Sequence, residues 1–167
     1  MSDATTLPVF HLSRRFAAPR DTVWAAFTKA DQLKQWWGPK DFTVGSAQLN
    51  LVPGGLFVFQ LLGPENAEMW GRWLFREIAP TRRLEVLHGF ADASGHSVRH
   101  PAMSDWPQDM LGQFGFHADG GETRLELDFS PYQASAAEAQ VFGANLESLN
   151  TGFSGTFDKL DAFLAKG

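Results

Sequence analysis

The histidines are where chemistry is most readily sought in this chain, which has five of them and no cysteine. His96 and His100 stand four apart, the spacing that would place two zinc ligands on one face of a helix. Their segment, Ser94-Gly95-His96-Ser97-Val98-Arg99-His100-Pro101, is turn-like instead, and only Asp92 and Asp105 offer acids nearby. Solvated loop histidines are the default reading, and no metal is expected. His88 alternates with Leu84, Val86 and Phe90 along a predicted strand, which puts it on the inner face. A buried imidazole needs a partner for each ring nitrogen, and could orient a ligand or act as acid or base. The blander reading is a core histidine bonded to a neighbour; no paired carboxylate is evident. Arg72 and Glu68 flank Trp70. An inward arginine would hold a carboxylate or phenolate; the alternative is a solvated cross-strand pair. Gly152-Phe153-Ser154-Gly155 falls one residue short of a nucleophile elbow and lies in a helical pattern. There is no phosphate loop and no dinucleotide fingerprint, so no cofactor is expected.

The aromatic content is the other chemical signal: fifteen Phe and six Trp against one Tyr. Phe57, Phe59, Trp70, Phe90, Phe114, Phe116 and Phe129 can converge between a sheet and a helix, with Leu149 and Phe153 on the helix. His88, Arg72 and Asn145 would supply the polar contacts. Either the rings fill a solid core, or they line a pocket on the order of 300–1,000 Å³. A helix across a strongly curved sheet touches at its ends and leaves a gap in the middle. Small residues at Gly112, Gly115, Gly152 and Gly155 favour the gap.

The elements that must position these residues follow from period and punctuation. Val9–Phe16 reads as a strand. Two short helices follow: one with Asp21 as candidate N-cap, running to about Thr28, and one from Asp31 to Trp36 that stops at Gly38-Pro39. Six strand-like segments come next: Phe42–Leu49, Leu56–Leu62, Trp70–Ile78, Leu84–Phe90, Met110–His117 and Thr123–Phe129. The last two flank Asp119-Gly120-Gly121, a hairpin signal. In the last, Leu125, Leu127 and Phe129 face one way and Arg124, Glu126 and Asp128 the other. After Ser130-Pro131, Phe142, Leu146, Leu149, Phe153, Phe157, Leu160 and Leu164 recur at helical spacing. This is either one helix of about 25–30 residues or two helices with a break near Ser148–Asn150. Gly143, Gly152 and Gly155 inside it admit close backbone approach or leave space for a ligand. The one long irregular stretch, Ala91–Asp109, has the length of a binding loop.

Composition bounds the rest. A chain of 167 residues, without internal repeats, is expected to form a single domain over 1–167 with a core that needs no disulfides. A net charge of −5 argues against nucleic acid as a partner. Phe42–Pro64 carries no charge, but Pro53-Gly54-Gly55 interrupts it, so it reads as two strands and not a membrane span. Met1–Leu7 has no apolar run, which speaks against a signal peptide, and the cytoplasm is the expected compartment. A homodimer is left open.

Several stretches carry a resemblance: Arg15-Phe16-x-Ala18-Pro19 with Val23-Trp24; Trp36-Trp37-Gly38-Pro39; Pro53-Gly54-Gly55; Gly71 with Glu77-Ile78-x-Pro80-x-x-Arg83-Leu84; Gly121-x-Thr123-x-Leu125; and Gly152-x-x-x-Thr156-x-Asp158-x-Leu160. In this order the chain resembles the START-like (SRPBCC) superfamily, and within it the activator-of-heat-shock-ATPase-homologue, polyketide cyclase-like branch. The resemblance implies an α+β helix-grip fold, a curved antiparallel sheet wrapped around a long C-terminal helix. One departure stands out: the acidic and basic residues common before Pro-Gly-Gly are here Asn50 and Val52. Three functions stay open. The first is a carrier, sequestering or resistance protein for a small hydrophobic, aromatic ligand. The second is a cyclase- or hydrolase-like enzyme using His88. The third is a co-chaperone-like interaction module, which needs an exposed contiguous patch.

Overall fold

A computed structural model describes residues 7–166. Strand β1 (Phe10–Phe16) leads into helices α1 (Arg20–Thr28) and α2 (Ala30–Trp36). Strands β2 (Thr43–Leu49), β3 (Leu56–Leu62), β4 (Glu68–Ala79) and β5 (Arg83–Ala91) follow. Then come the two-residue β6 (Ser97–Val98), β7 (Asp109–Asp119) and β8 (Glu122–Tyr132), and helices α3 (Ala136–Ala144) and α4 (Leu146–Ala165). The strands form one antiparallel sheet in the order β1-β8-β7-β5-β4-β3-β2, with β6 added to the end of β5. This is the helix-grip arrangement: a curved sheet closed by the last helix.

Period-two alternation sets the sheet's faces. In β8, Leu125, Leu127 and Phe129 are buried while Arg124 is exposed. Gly120 and Gly121 both have positive φ, +60° and +88°, the backbone a tight two-residue hairpin requires. β8 runs on through Pro131, further than its punctuation suggests. β1 stops pairing at Phe10↔Phe129, so Pro131 lies where β8 is an edge and a missing N–H is tolerated.

Two helix expectations are corrected. Pro19, not Asp21, is the N-cap of α1; Asp21 sits in the first turn, where its charge favours the helix N-terminus. The terminal helical stretch is two helices, and the break falls at Asn145 (φ −115°, ψ 19°), ahead of Ser148–Asn150. The Asn145 amide donates to Val141 O (2.7 Å) and so covers a carbonyl left open at the end of α3. α4, with 20 residues, is about 30 Å long.

α4 is fastened at its middle. Thr156 Oγ1 donates to Gly38 O at 3.0 Å. The Lys159 ammonium reaches the carbonyls of Gly38 (3.2 Å), Pro39 (3.3 Å) and Phe42 (2.7 Å), with Trp37 O at 3.5 Å. These carbonyls belong to the turn after α2, where no ladder satisfies them. Gly38 is required there: its φ is +103°, and a Cβ would lie 2.8 Å from Leu61. Beside this clasp the core is solid. Phe27 packs against Trp36, Phe114, Phe116 and Phe157, with ring centroids 4.8, 5.4, 5.1 and 6.4 Å away.

Lys159→Met removes the donor from several inward carbonyls. It is expected to lower unfolding free energy by about 1–3 kcal/mol in urea titrations. The exposed Lys34→Met serves as control and should stay within about 0.5 kcal/mol.

Candidate functional site

Next to the clasp, whose Trp37, Gly38, Pro39 and Thr156 form one end of it, the first half of α4 stands off the sheet over a cavity of about 330 Å³. Phe59 and Leu61 on β3, Gly71 on β4, His88 and Phe90 on β5, and Phe129 on β8 form its sheet side. Asn145, Ser148, Leu149, Gly152 and Phe153 form the helix side. His100, Met103 and Trp106, from the loop between β6 and β7, form a third wall. Met69 and Trp70 stand at the rim, where the Trp70 indole N–H donates to Glu68 at 3.2 Å. No Asp, Glu, Lys or Arg is among the lining residues.

The glycines of the terminal helices have different roles. A Cβ on Gly152 would meet nothing within 4 Å, so this residue faces the open space. Gly143 and Gly155 instead admit close neighbours, Pro8 Cβ and Lys40 Cβ, each 3.4 Å from the missing Cβ. Gly112 opens no gap, because Val86, Phe129 and Phe114 already crowd it, and Gly115 sits beside His117. On the sheet, Gly71 makes room for the Phe59 ring, 2.6 Å from where a Cβ would stand.

The structure thus brings Phe59, Trp70, His88, Phe90, Phe129, Asn145, Leu149 and Phe153 to one cavity. It does not bring Phe57, Phe114, Phe116 or Arg72 there. Phe57 is sealed against Phe59 and Trp73 (4.9 and 5.1 Å). Phe114 and Phe116 face inward as expected, but far enough along β7 to meet Phe27. Arg72 fails by strand parity: Gly71 and Trp73 take the inner face, and Arg72 donates to Gly95 O (3.0 Å) on the other. Glu68 is not its partner; it bonds Gln60 and Trp70. The loop residues His100, Met103 and Trp106 were not anticipated. Their signal was two large apolar residues, Met103 and Trp106, inside an otherwise polar segment.

His88 lies at the floor of the cavity. Its ring sits 5.5 Å from Phe129, 6.0 Å from Trp37 and 6.2 Å from Phe59. Neither ring nitrogen has a hydrogen-bond partner among the described residues, and the residue lines the cavity. Burial pushes its pKa down to about 4, so it is neutral at pH 7. Trp37, also lining, is 5% exposed, and its indole N–H is unpaired. Trp36 instead anchors α2 to α1 by donating to Ala26 O (3.0 Å).

The pair spaced like zinc ligands is not on a helix. His96 bonds Asp92 at 3.3 Å, while His100 accepts two backbone N–H groups of its own loop. No cluster of three ligand-type side chains that could hold a metal occurs among the described residues. None of the helices among these residues is long and apolar enough to cross a membrane.

Residues 17–165 match the family described as Activator of Hsp90 ATPase homolog 1-like protein. The chain belongs to that family. Protein Ms6760 of Mycobacterium smegmatis is 25% identical, with 97% of this chain and 93% of that chain covered and a TM-score of 0.74. A protein of Arthrobacter aurescens is 22% identical (99% and 94% covered, TM-score 0.77). The AHSA1 protein of Silicibacter pomeroyi is 21% identical (95% and 98% covered, TM-score 0.70). No curated protein matches the sequence. In this AHSA1-like chain, then, the family shows the START-like scaffold.

His88 generates a pH prediction. Its folded pKa lies below the ordinary 6.5, so between about pH 6.5 and 4 the unfolded chain binds the extra proton. Stability therefore falls as pH drops through that window, by at most about 3 kcal/mol. Urea midpoints of the wild type should show this slope, and His88→Phe should flatten it.

Proposed function

We propose that this AHSA1-like protein binds a small, uncharged, largely aromatic molecule in the space under α4, as a carrier or sequestering protein. The observation that carries the reading is the lining itself. It is built from rings and methionines, with no charged side chain and a neutral imidazole at the floor. Such a wall rewards apolar surface, and gives a charged guest no counter-ion to offset lost hydration. Its volume, about 330 Å³, is near the lower end for small-molecule sites and suits a two- or three-ring guest.

Catalysis is the weaker reading. With a pKa of about 4, His88 is a poor base at neutral pH, and no carboxylate lines the cavity to assist it. An interaction module would use an exposed apolar surface. The exposed large apolar residues among those described, Leu7 and Val9, Val52, Leu62 and Val98, come from four different segments of the chain.

Calorimetry with 2-methylnaphthalene and 2-naphthoate is the test. The neutral compound should bind at least about tenfold more tightly than the carboxylate, whose charge would be desolvated without a partner. Gly152→Phe should fill the open space, abolish binding, and leave the unfolding midpoint unchanged or higher, since glycine is a poor helix former. Tight carboxylate binding, or wild-type affinity in Gly152→Phe, would overturn the proposal.

A further inference from the structure

His100 has a constrained ring. Its Nδ1 accepts the backbone N–H groups of Ala102 and Met103, both at 3.0 Å. A backbone amide can only donate, so Nδ1 carries no proton and the neutral ring holds its single proton on Nε2. The tautomer is thereby fixed, and the one group left over is a donor. Nε2 has no acceptor among the described residues, and it is not among the buried atoms left without a partner. It therefore meets open space, and the ring that carries it lines the cavity.

The ring is also held in place. It packs edge-on against Phe90, with centroids 4.7 Å apart at 64°. Its loop is tied to α3 at both ends. Arg99 pairs with Glu138 at 2.5 Å, and Trp106 packs on Phe142 with centroids 5.6 Å apart. His88 is different. With neither nitrogen committed, its proton can move to suit a guest that donates or one that accepts. His88 therefore cannot tell the two apart, whereas His100 can.

We propose that His100 is a specificity-determining donor of this cavity, and that the guest is an uncharged aromatic ketone, or a close relative, whose oxygen accepts the Nε2 proton. This rests on the ligand-binding reading above. A pure hydrocarbon would strip water from Nε2–H without replacing its hydrogen bond. A group that only donates would oppose N–H to N–H. An acceptor oxygen satisfies both the apolar walls and the fixed donor.

Isothermal titration of the full chain with 1-tetralone and with tetralin separates the terms, because the pair differs in the carbonyl alone. The ketone should bind about five- to tenfold more tightly. His100→Asn keeps an acceptor for Ala102 and Met103 but loses the far N–H, so the ratio should fall to about one. His96→Asn, outside the cavity, should leave it unchanged. On the wild type, ¹⁵N spectra should show the Nε2–H tautomer, with the His100 Nε2 resonance shifting on addition of 1-tetralone and not of tetralin. Equal binding of both probes would overturn the donor role and leave the cavity reading standing. So would an unchanged ratio in His100→Asn with an unmoved Nε2 signal. Binding of neither probe would overturn both.

Discussion

The backbone carbonyls between Trp37 and Phe42 determine where the last helix docks. They lie in a turn that no strand or helix ladder satisfies, and α4 supplies the donors, Thr156 and Lys159, from one stripe of its surface. A side-chain ammonium among carbonyls is a directional contact, unlike the apolar packing around it. It holds α4 at its midpoint rather than letting it settle along its whole length. One consequence is a core with two characters. On one side, Phe157 presses into the rings of Phe16 on β1, Phe27 on α1 and Trp36 on α2, and both it and Leu160 are fully buried. On the other, the Asn145–Gly152 stretch is lifted away from β3, β4 and β5, and the space is not closed.

That division also governs the electrostatics. The ionic groups are spent on the outside and on fastening elements together. Arg14 joins β1 to Asp158 and Asp161 of α4, and Arg15 joins β1 to the β7–β8 hairpin. None is left for the cavity wall. Its polar groups are neutral ones: the imidazoles of His88 and His100, the Asn145 amide, and the hydroxyls of Ser148 and Thr156. Burial lowers the pKa of both imidazoles, which keeps the wall uncharged at neutral pH. A largely apolar, uncharged lining with a few neutral polar groups orients a guest without demanding a charge from it.

Much of this was legible in the sequence where a period speaks. The alternation of Leu84, Val86 and His88 placed the histidine on the inner face. The stripe from Phe142 to Leu164 announced the closing helix, and Asp119-Gly120-Gly121 the hairpin. Arg72 was misplaced although its parity was readable, because Gly71 and Trp73 already claim the inner face. Position along a strand is a different matter. Phe114 and Phe116 have the right parity, yet whether they meet α1 or the hollow depends on where the helices cross the sheet. No local pattern encodes that crossing. The break at Asn145 was hidden by louder signals, the glycines at 143, 152 and 155. The contribution of His100, Met103 and Trp106 depends on a loop folding back through the two-residue β6, a pairing too short to show as periodicity.

Xenon tests the hollow directly, since it settles in apolar space inside proteins and needs no specific recognition. A crystal of this protein pressurised with xenon should show the atom bounded by Phe59, Phe129 and Gly152, with the clasp at Lys159 undisturbed. A crystal in which no xenon binds there, and in which the Phe129 and Phe153 rings have closed against Phe59, would contradict the account.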